Sequence, residues 1–219
     1  MDSALPPQQE SAFAALRQFA RKRAPVERCE MCSRDLAAEH EHLVEPASRK
    51  IICACGACAI LFDGQAGTRY KRVPRDVLFL QDFQLSDGQW DGLAVPIEMA
   101  FFFHSSPQGK MIALYPSPAG PTESLLPLDT WAEIVETNPE LNRMEPDVSA
   151  LLVNRVGHAR GVAPAEYYLV PIDECYKLVG LIRTHWRGLS GGTEVWREIG
   201  GFFAELKKRA GYVEEGPHA

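Results

Sequence analysis

Apolar and polar positions alternate most clearly between Val95 and Phe103, where Val95, Ile97, Met99, Phe101 and Phe103 fall on one side of a strand. The opposite side carries Glu98, Ala100, Phe102 and His104, so this strand is expected to be covered on both faces. Ser105 to Gly109 reads as a turn and Lys110 to Tyr115 as the partner strand of a hairpin. Val77 to Phe83, Ala150 to Asn154 and Glu166 to Val170 read as three further strands. Helical spacing takes over elsewhere. Phe13, Leu16 and Phe19 mark a helix from Ser11 to about Arg23, which Ala24-Pro25 ends because the residue before proline resists the helical region. Thr130-Trp131-Ala132-Glu133 has capping-box spacing and opens a helix that stops before Asn138-Pro139. Pro171 suits a first helical position and starts a helix to about Arg187, with Ile172, Cys175, Leu178, Val179, Ile182 and Trp186 on one stripe. Gly188 to Gly192 breaks it. A last helix runs from Thr193 to about Arg209 on a stripe of Val195, Ile199, Phe202 and Leu206, joined by Trp196 and Phe203.

These elements predict an α+β protein with three parts: an N-terminal helix (residues 1–24), a small zinc-ribbon-like metal module (25–66), and an α+β domain (67–219) of mixed or antiparallel sheet with packed helices. Gly64 and Gly67 mark the junction. No run approaches the roughly 18 apolar residues of a membrane span. Met1 to Gln9 is polar and contains proline, unlike a signal peptide, so the expected compartment is the cytoplasm. Thiols stay reduced there, which favours metal over disulfides for clustered cysteines. The net charge of −6 is uneven: residues 1–73 stand at +2 and residues 74–219 at −8. An acidic body argues against a general nucleic-acid binder. The basic residues Arg21, Lys22, Arg23, Arg28 and Arg34 beside the module either offset the charge of a thiolate centre or form a docking surface for an acidic partner.

The chemistry concentrates in two clamps, Cys29-x-x-Cys32 and Cys55-x-x-Cys58, separated by 22 residues. Two thiolates on one tight turn grip a single ion, and two such turns complete a tetrahedral shell of four sulfurs. Between the clamps, Leu43-Val44 and Ile51-Ile52 flank Pro46-Ala47-Ser48, as the hairpin of a ribbon would. Zinc is the expected ion. The alternative is a single iron in a rubredoxin-like site, which uses the same pair of clamps. Cys53 is one thiol more than zinc requires; in a strand-like stretch it would face the same side as Cys55 and could exchange with it. His40 and His42 could also supply a nitrogen ligand, giving a mixed three-cysteine, one-histidine shell.

Other candidates are weaker. Cys175 on its helical stripe reads as a buried structural thiol rather than a nucleophile. His185 lies near the end of the same helix, where a cation suits the dipole. Gly188 to Thr193 lacks a P-loop lysine, and Glu194 and Glu198 in the next turn would oppose a phosphate, so it reads as a helix–helix connection. Tyr115 to Pro127, with its prolines, reads as a loop, either a rigid connector or a ligand loop. An enzyme built on Tyr115–Ser124 with Cys175 and His185 is the competing functional class.

Several of these segments together resemble a bacterial family of unknown function encoded in operons of actinobacterial-type nickel–iron uptake hydrogenases. They are Cys29-x-x-Cys32 with Glu39-His40-Glu41-His42-Leu43, Cys53-x-Cys55-x-x-Cys58, Ala113-Leu114-Tyr115-Pro116-Ser117-Pro118-Ala119-Gly120, Pro171-Ile172-Asp173-Glu174-Cys175-Tyr176 and Thr184-His185-Trp186-Arg187-Gly188. The resemblance spans roughly Cys29 to Leu206 and implies a role in maturing, assembling or drawing electrons from a hydrogenase. The expectation is a non-enzymatic, zinc-binding accessory protein that engages a hydrogenase subunit or maturation factor. The alternative is a small iron electron carrier serving the same enzyme.

Overall fold

Leu43-Val44 and Ile51-Ile52 do form a hairpin, closed by a turn in which Arg49 takes a left-handed φ of 57°. The structure, a computed structural model, describes residues 26–63, 69–124 and 131–212. The expected N-terminal helix, the junction glycines Gly64 and Gly67, and the capping residue Thr130 lie outside the described residues. Strands β1 (Glu41–Glu45) and β2 (Lys50–Ala54) pair antiparallel, and β3 (Lys71–Arg72) adds to the free side of β1. A short helix α1 (Gly56–Phe62) leaves β2 directly.

The rest of the chain builds a seven-stranded sheet. Its members are β4 (Leu78–Phe79), β5 (Met99–Ser105), β6 (Lys110–Ser117), β7 (Gly120–Glu123), β8 (Ser149–Asn154), β9 (Glu166–Pro171) and β10 (Gly211–Tyr212). The order across it is β10-β4-β9-β8-β5-β6-β7, antiparallel throughout except for the parallel pair β10–β4. Helix α2 (Asp87–Gly92) carries a full capping box from Ser86 and Gln89. Helix α3 (Trp131–Thr137) stops before Asn138 and hands over to a 3-10 turn at Pro139–Arg143. Helix α4 (Val156–Ala159) is a single turn; α5 (Ile172–His185) and α6 (Gly192–Arg209) are the long ones.

Alternation along β5 sorts its side chains between two apolar layers. Met99, Phe101 and Phe103 join Ile172, Cys175, Leu178 and Ile182 of α5 and Val195, Ile199 and Phe202 of α6. Ala100 and Phe102 face the other way, onto Leu80, Phe83, Trp90, Ile134 and Leu141. The covering of this strand on both sides is therefore as the sequence predicts. The small three-stranded sheet packs on the α5 side, where Val44 and Val73 enter the same apolar layer.

Three expected elements differ. The strand predicted to open at Val95 opens at Met99, because Ala94 is left-handed (φ 51°) and Pro96 has no N–H for the ladder. The strand predicted over Val77–Phe83 is regular only at Leu78–Phe79; Leu80 keeps one bond to Tyr167 O and the chain then turns, burying Phe83 in the other layer. The expected loop from Tyr115 is a hairpin: β6 runs to Ser117 and β7 returns with Pro116 opposite Pro121. Pro121 is tolerated because β7 is the outer strand of the sheet, and Pro116 because the pairing of β6 with β5 ends at Leu114. No helix among the described residues is long and apolar enough to cross a membrane.

Candidate metal centre

The first clamp is held by a tight backbone loop. Arg28 and Asp35 bridge its base, Cys29 N–H donates to Arg34 O at 2.8 Å, Ser33 N–H donates to Cys29 O at 2.8 Å, and Ser33 takes a left-handed φ of 62°. Glu30 pins this loop to β2: its N–H donates to Cys53 O, and its carboxylate accepts from Cys53 N–H at 3.0 Å and from Lys50 Nζ at 2.8 Å. The second clamp is built differently. Cys55 is the N-cap of α1 and Cys58 lies in its first turn, so these two sulfurs hang from a helix start rather than from a second loop.

The four sulfurs of Cys29, Cys32, Cys55 and Cys58 lie within 4.8 Å of one another, and Cys32 Sγ is 3.7 Å from Cys55 Sγ. Sulfurs about 2.3 Å from a tetrahedral zinc ion are about 3.8 Å apart, whereas a disulfide would bring them to about 2.05 Å. All six cysteines that the chain contains are free. Cys29, Cys55 and Cys58 are buried with Leu43, Ile52, Ala54 and Ala59, and Cys32 is the exposed member. Burial opposes ionisation of Cys29, but backbone N–H groups of Cys55, Cys32 and Met31 outweigh it and bring its thiol down to about 6. The backbone N–H of Cys58 likewise lowers Cys55. Burial and the neighbouring sulfurs push Cys58 up to about 12, since crowded thiols do not all ionise without a cation among them. The arrangement is a closed cage of four soft donors, suited to zinc or to iron.

The structure sets Cys53 apart from Cys55. The strand ends at Ala54, and alternation turns Ile52 and Ala54 towards the four sulfurs while Cys53 takes the other face of the hairpin. There it meets His40 and His42, one ligand atom from each of the three lying within 4.8 Å of the others. The two histidines expected as alternative ligands of the four-sulfur centre stand with Cys53 in a second group. Asp173, from the first turn of α5, also reaches this group and accepts from His42 Nδ1 at 2.7 Å. Sequence reasoning missed it because the two residues are 131 positions apart. The spacing His40-x-His42 opposite Cys53 was the available signal, since positions two apart on a strand share a face.

The remaining candidates separate. Cys175 is fully enclosed between α5 and the sheet, and burial pushes its thiol well above the usual range. His185 lies ten residues further along the same helix, about 15 Å of helical rise away, with its Nδ1 3.3 Å from Glu194 Oε1. They do not form a dyad. Gly188 to Gly192 is a tight connection whose carbonyls accept from the indoles of Trp186 and Trp196. The Tyr115–Pro118 segment lines an apolar cleft of about 380 Å³ with Ile182, Trp186 and Trp196.

Comparison with curated proteins and with solved structures found no match. A family model does match, over residues 28–210, a span that holds both cysteine clamps, the His40–His42–Cys53 group and every strand but the last. The chain belongs to the family of unknown function DUF5947.

Proposed function

We propose that the protein is a non-enzymatic, zinc-binding accessory protein whose four-cysteine centre shapes a small module for docking to a partner protein. One observation carries the metal reading: four free sulfurs, from two clamps far apart in sequence, converge within 4.8 Å, with Cys32 and Cys55 3.7 Å apart, close to the separation around a tetrahedral ion. A shell closed by four protein ligands leaves no position for a substrate, so the ion stabilises a fold too small to have a large core of its own. Arg28 pairs with Asp35, and Lys50 with Glu30, so cations near the clamps also serve the local geometry. The enclosure of Cys175 supports the non-enzymatic side, because the thiol outside the two clusters has no access to a substrate. The partner class rests on the resemblance alone. On that reading it is a nickel–iron hydrogenase subunit or one of its maturation factors.

Elemental analysis of protein purified without oxygen, with a visible spectrum of the same sample, tests this reading. Zinc without colour is the expected result, with pull-downs from a hydrogenase-producing host as the next step. Iron with a charge-transfer spectrum that bleaches on reduction would replace zinc and make the protein an electron carrier. Cys58→Ser is expected to release the ion and unfold the module; a variant with full metal content and unchanged stability would overturn the ligand assignment.

A further inference from the structure

We propose that His40, His42 and Cys53 form a second metal site, separate from the four-sulfur centre, which takes a borderline divalent cation such as Zn²⁺ and leaves one coordination position open.

The hairpin register builds it. His42 and Cys53 are direct cross-strand partners, and His40 stands two residues before His42. Cross-strand partners share a face, so His42 and Cys53 project from the side of the hairpin opposite the four-sulfur cluster, and His40, just before β1, joins them there. Their ligand atoms lie no more than 4.8 Å apart, and the two imidazoles meet edge to face at 4.8 Å between centroids. Donors around a tetrahedral zinc ion stand about 3.3–3.6 Å apart. Small side-chain rotations close the difference.

The hydrogen bonds fix which nitrogens are free. His40 Nδ1 is 3.0 Å from the carbonyl of Ala37, which only accepts, so Nδ1 carries the proton and Nε2 keeps its lone pair. The Glu27 carboxylate lies 3.5 Å from the same Nδ1 and reinforces that choice. His42 Nδ1 donates to Asp173 Oδ2 at 2.7 Å, which leaves its Nε2 free as well. A ring nitrogen bound to a carbonyl or carboxylate, which leaves the other nitrogen for an ion, is the pattern that orients histidines on metals. His40 Nε2 is buried without a hydrogen-bond partner, in a side chain only 8% exposed. A lone pair held in that way is costly unless something binds it. A cation does.

The charges also balance. One thiolate reduces a dication to +1, and the carboxylates of Asp173 behind His42 and Glu27 behind His40 offset the charge that remains. Two imidazoles and one sulfur suit zinc and its first-row neighbours. Three protein ligands leave the fourth place to water or an incoming donor, whereas four protein ligands fill the shell of the four-sulfur ion. Because Asp173 belongs to α5, occupancy also ties the hairpin to the large sheet.

Equilibrium loading of the full chain with Zn²⁺, with the metal counted per chain after removal of free ion, tests the site. Wild type is expected to hold two zinc ions, and Cys53→Ala and His40→Ala one each, with unchanged circular dichroism. With zinc filling the four-sulfur centre, Co²⁺ added to the remaining site should give a sulfur-to-metal band of single-thiolate intensity, absent in Cys53→Ala. Asp173→Asn should weaken Zn²⁺ at this site by roughly ten- to a hundred-fold without removing it. One ion in wild type that persists in Cys53→Ala would overturn the proposal, as would two ions in both proteins. One ion in wild type that is lost in Cys53→Ala would uphold this site and count against the four-sulfur centre instead.

Discussion

Asp147 shows how much one side chain can settle. It sits in the left-handed region at φ 72°, where aspartate and asparagine are the tolerated non-glycine residues, and it is 4% exposed. Its carboxylate accepts from Ser106 N–H at 2.8 Å and from Lys71 Nζ at 2.6 Å. Burial works against its ionisation, but the bonds from Lys71 and Ser106 outweigh it and hold its carboxyl below the usual range. A group depressed in the folded state contributes stability above the ordinary carboxylate range, and that contribution is lost as pH falls through the folded value. Asp147→Asn keeps the backbone preference and removes the charge. It is expected to cost about 1–3 kcal/mol near neutrality. It should also flatten the acid side of the stability curve, which denaturant titrations from pH 7 downwards would check. Gly191 is a second such position. At φ 85° it caps α6, and a Cβ there would stand 2.8 Å from Val195 Cγ1 and 3.1 Å from the Trp186 ring. Gly191→Ala should therefore cost about 2 kcal/mol. For a chain of this size that corresponds to a loss of about 4–8 °C in melting temperature.

Among the elements, legibility followed contrast. α5 and α6 announced themselves because Ile172, Leu178 and Ile182, and Val195, Ile199 and Phe202, repeat at helical spacing over many residues. β5 was legible as doubly covered because Phe102 and Phe103 are both large and apolar, which leaves neither face for water. The start of β5 was not, since Val95 and Ile97 continue the alternation past a proline that ends the ladder. β7 was hidden by its own composition, as Gly120 and Pro121 read as a turn until an outer edge is known to receive them. The convergence of the four clamp cysteines was legible, because a Cys-x-x-Cys clamp carries its geometry in its spacing, but the helix start that carries the second clamp was not. The second donor group was only partly so. Its histidines and cysteine were noticed, but their separation from the clamps depends on β2 ending at Ala54 and on an aspartate from a distant helix.

At the scale of the molecule, polar ties fasten the small hairpin sheet to the large one. Lys71 reaches Asp147, His42 reaches Asp173, and Arg49 bonds Glu123 at 3.0 Å while standing over the Phe103 ring. The module's own apolar cluster is small, whereas the large sheet is packed on both faces. Chelation should therefore loosen the chain unevenly. Amide exchange after metal removal is expected to rise across residues 28–62 while β5, β8 and β9 stay protected; uniform loss across both sheets would contradict that division. The outer strands of the seven-stranded sheet bear on how other chains can approach. β10 is two residues long. On β7, Ser124 N–H points inward to Ala113 O, and alternation turns positions 121 and 123 outward, where Pro121 has no N–H to offer. An extended peptide seeking to zip onto this border would find one donor in four residues of β7. Recognition by strand addition is thereby disfavoured, and the same proline guards the fold against edge-to-edge stacking with its own copies.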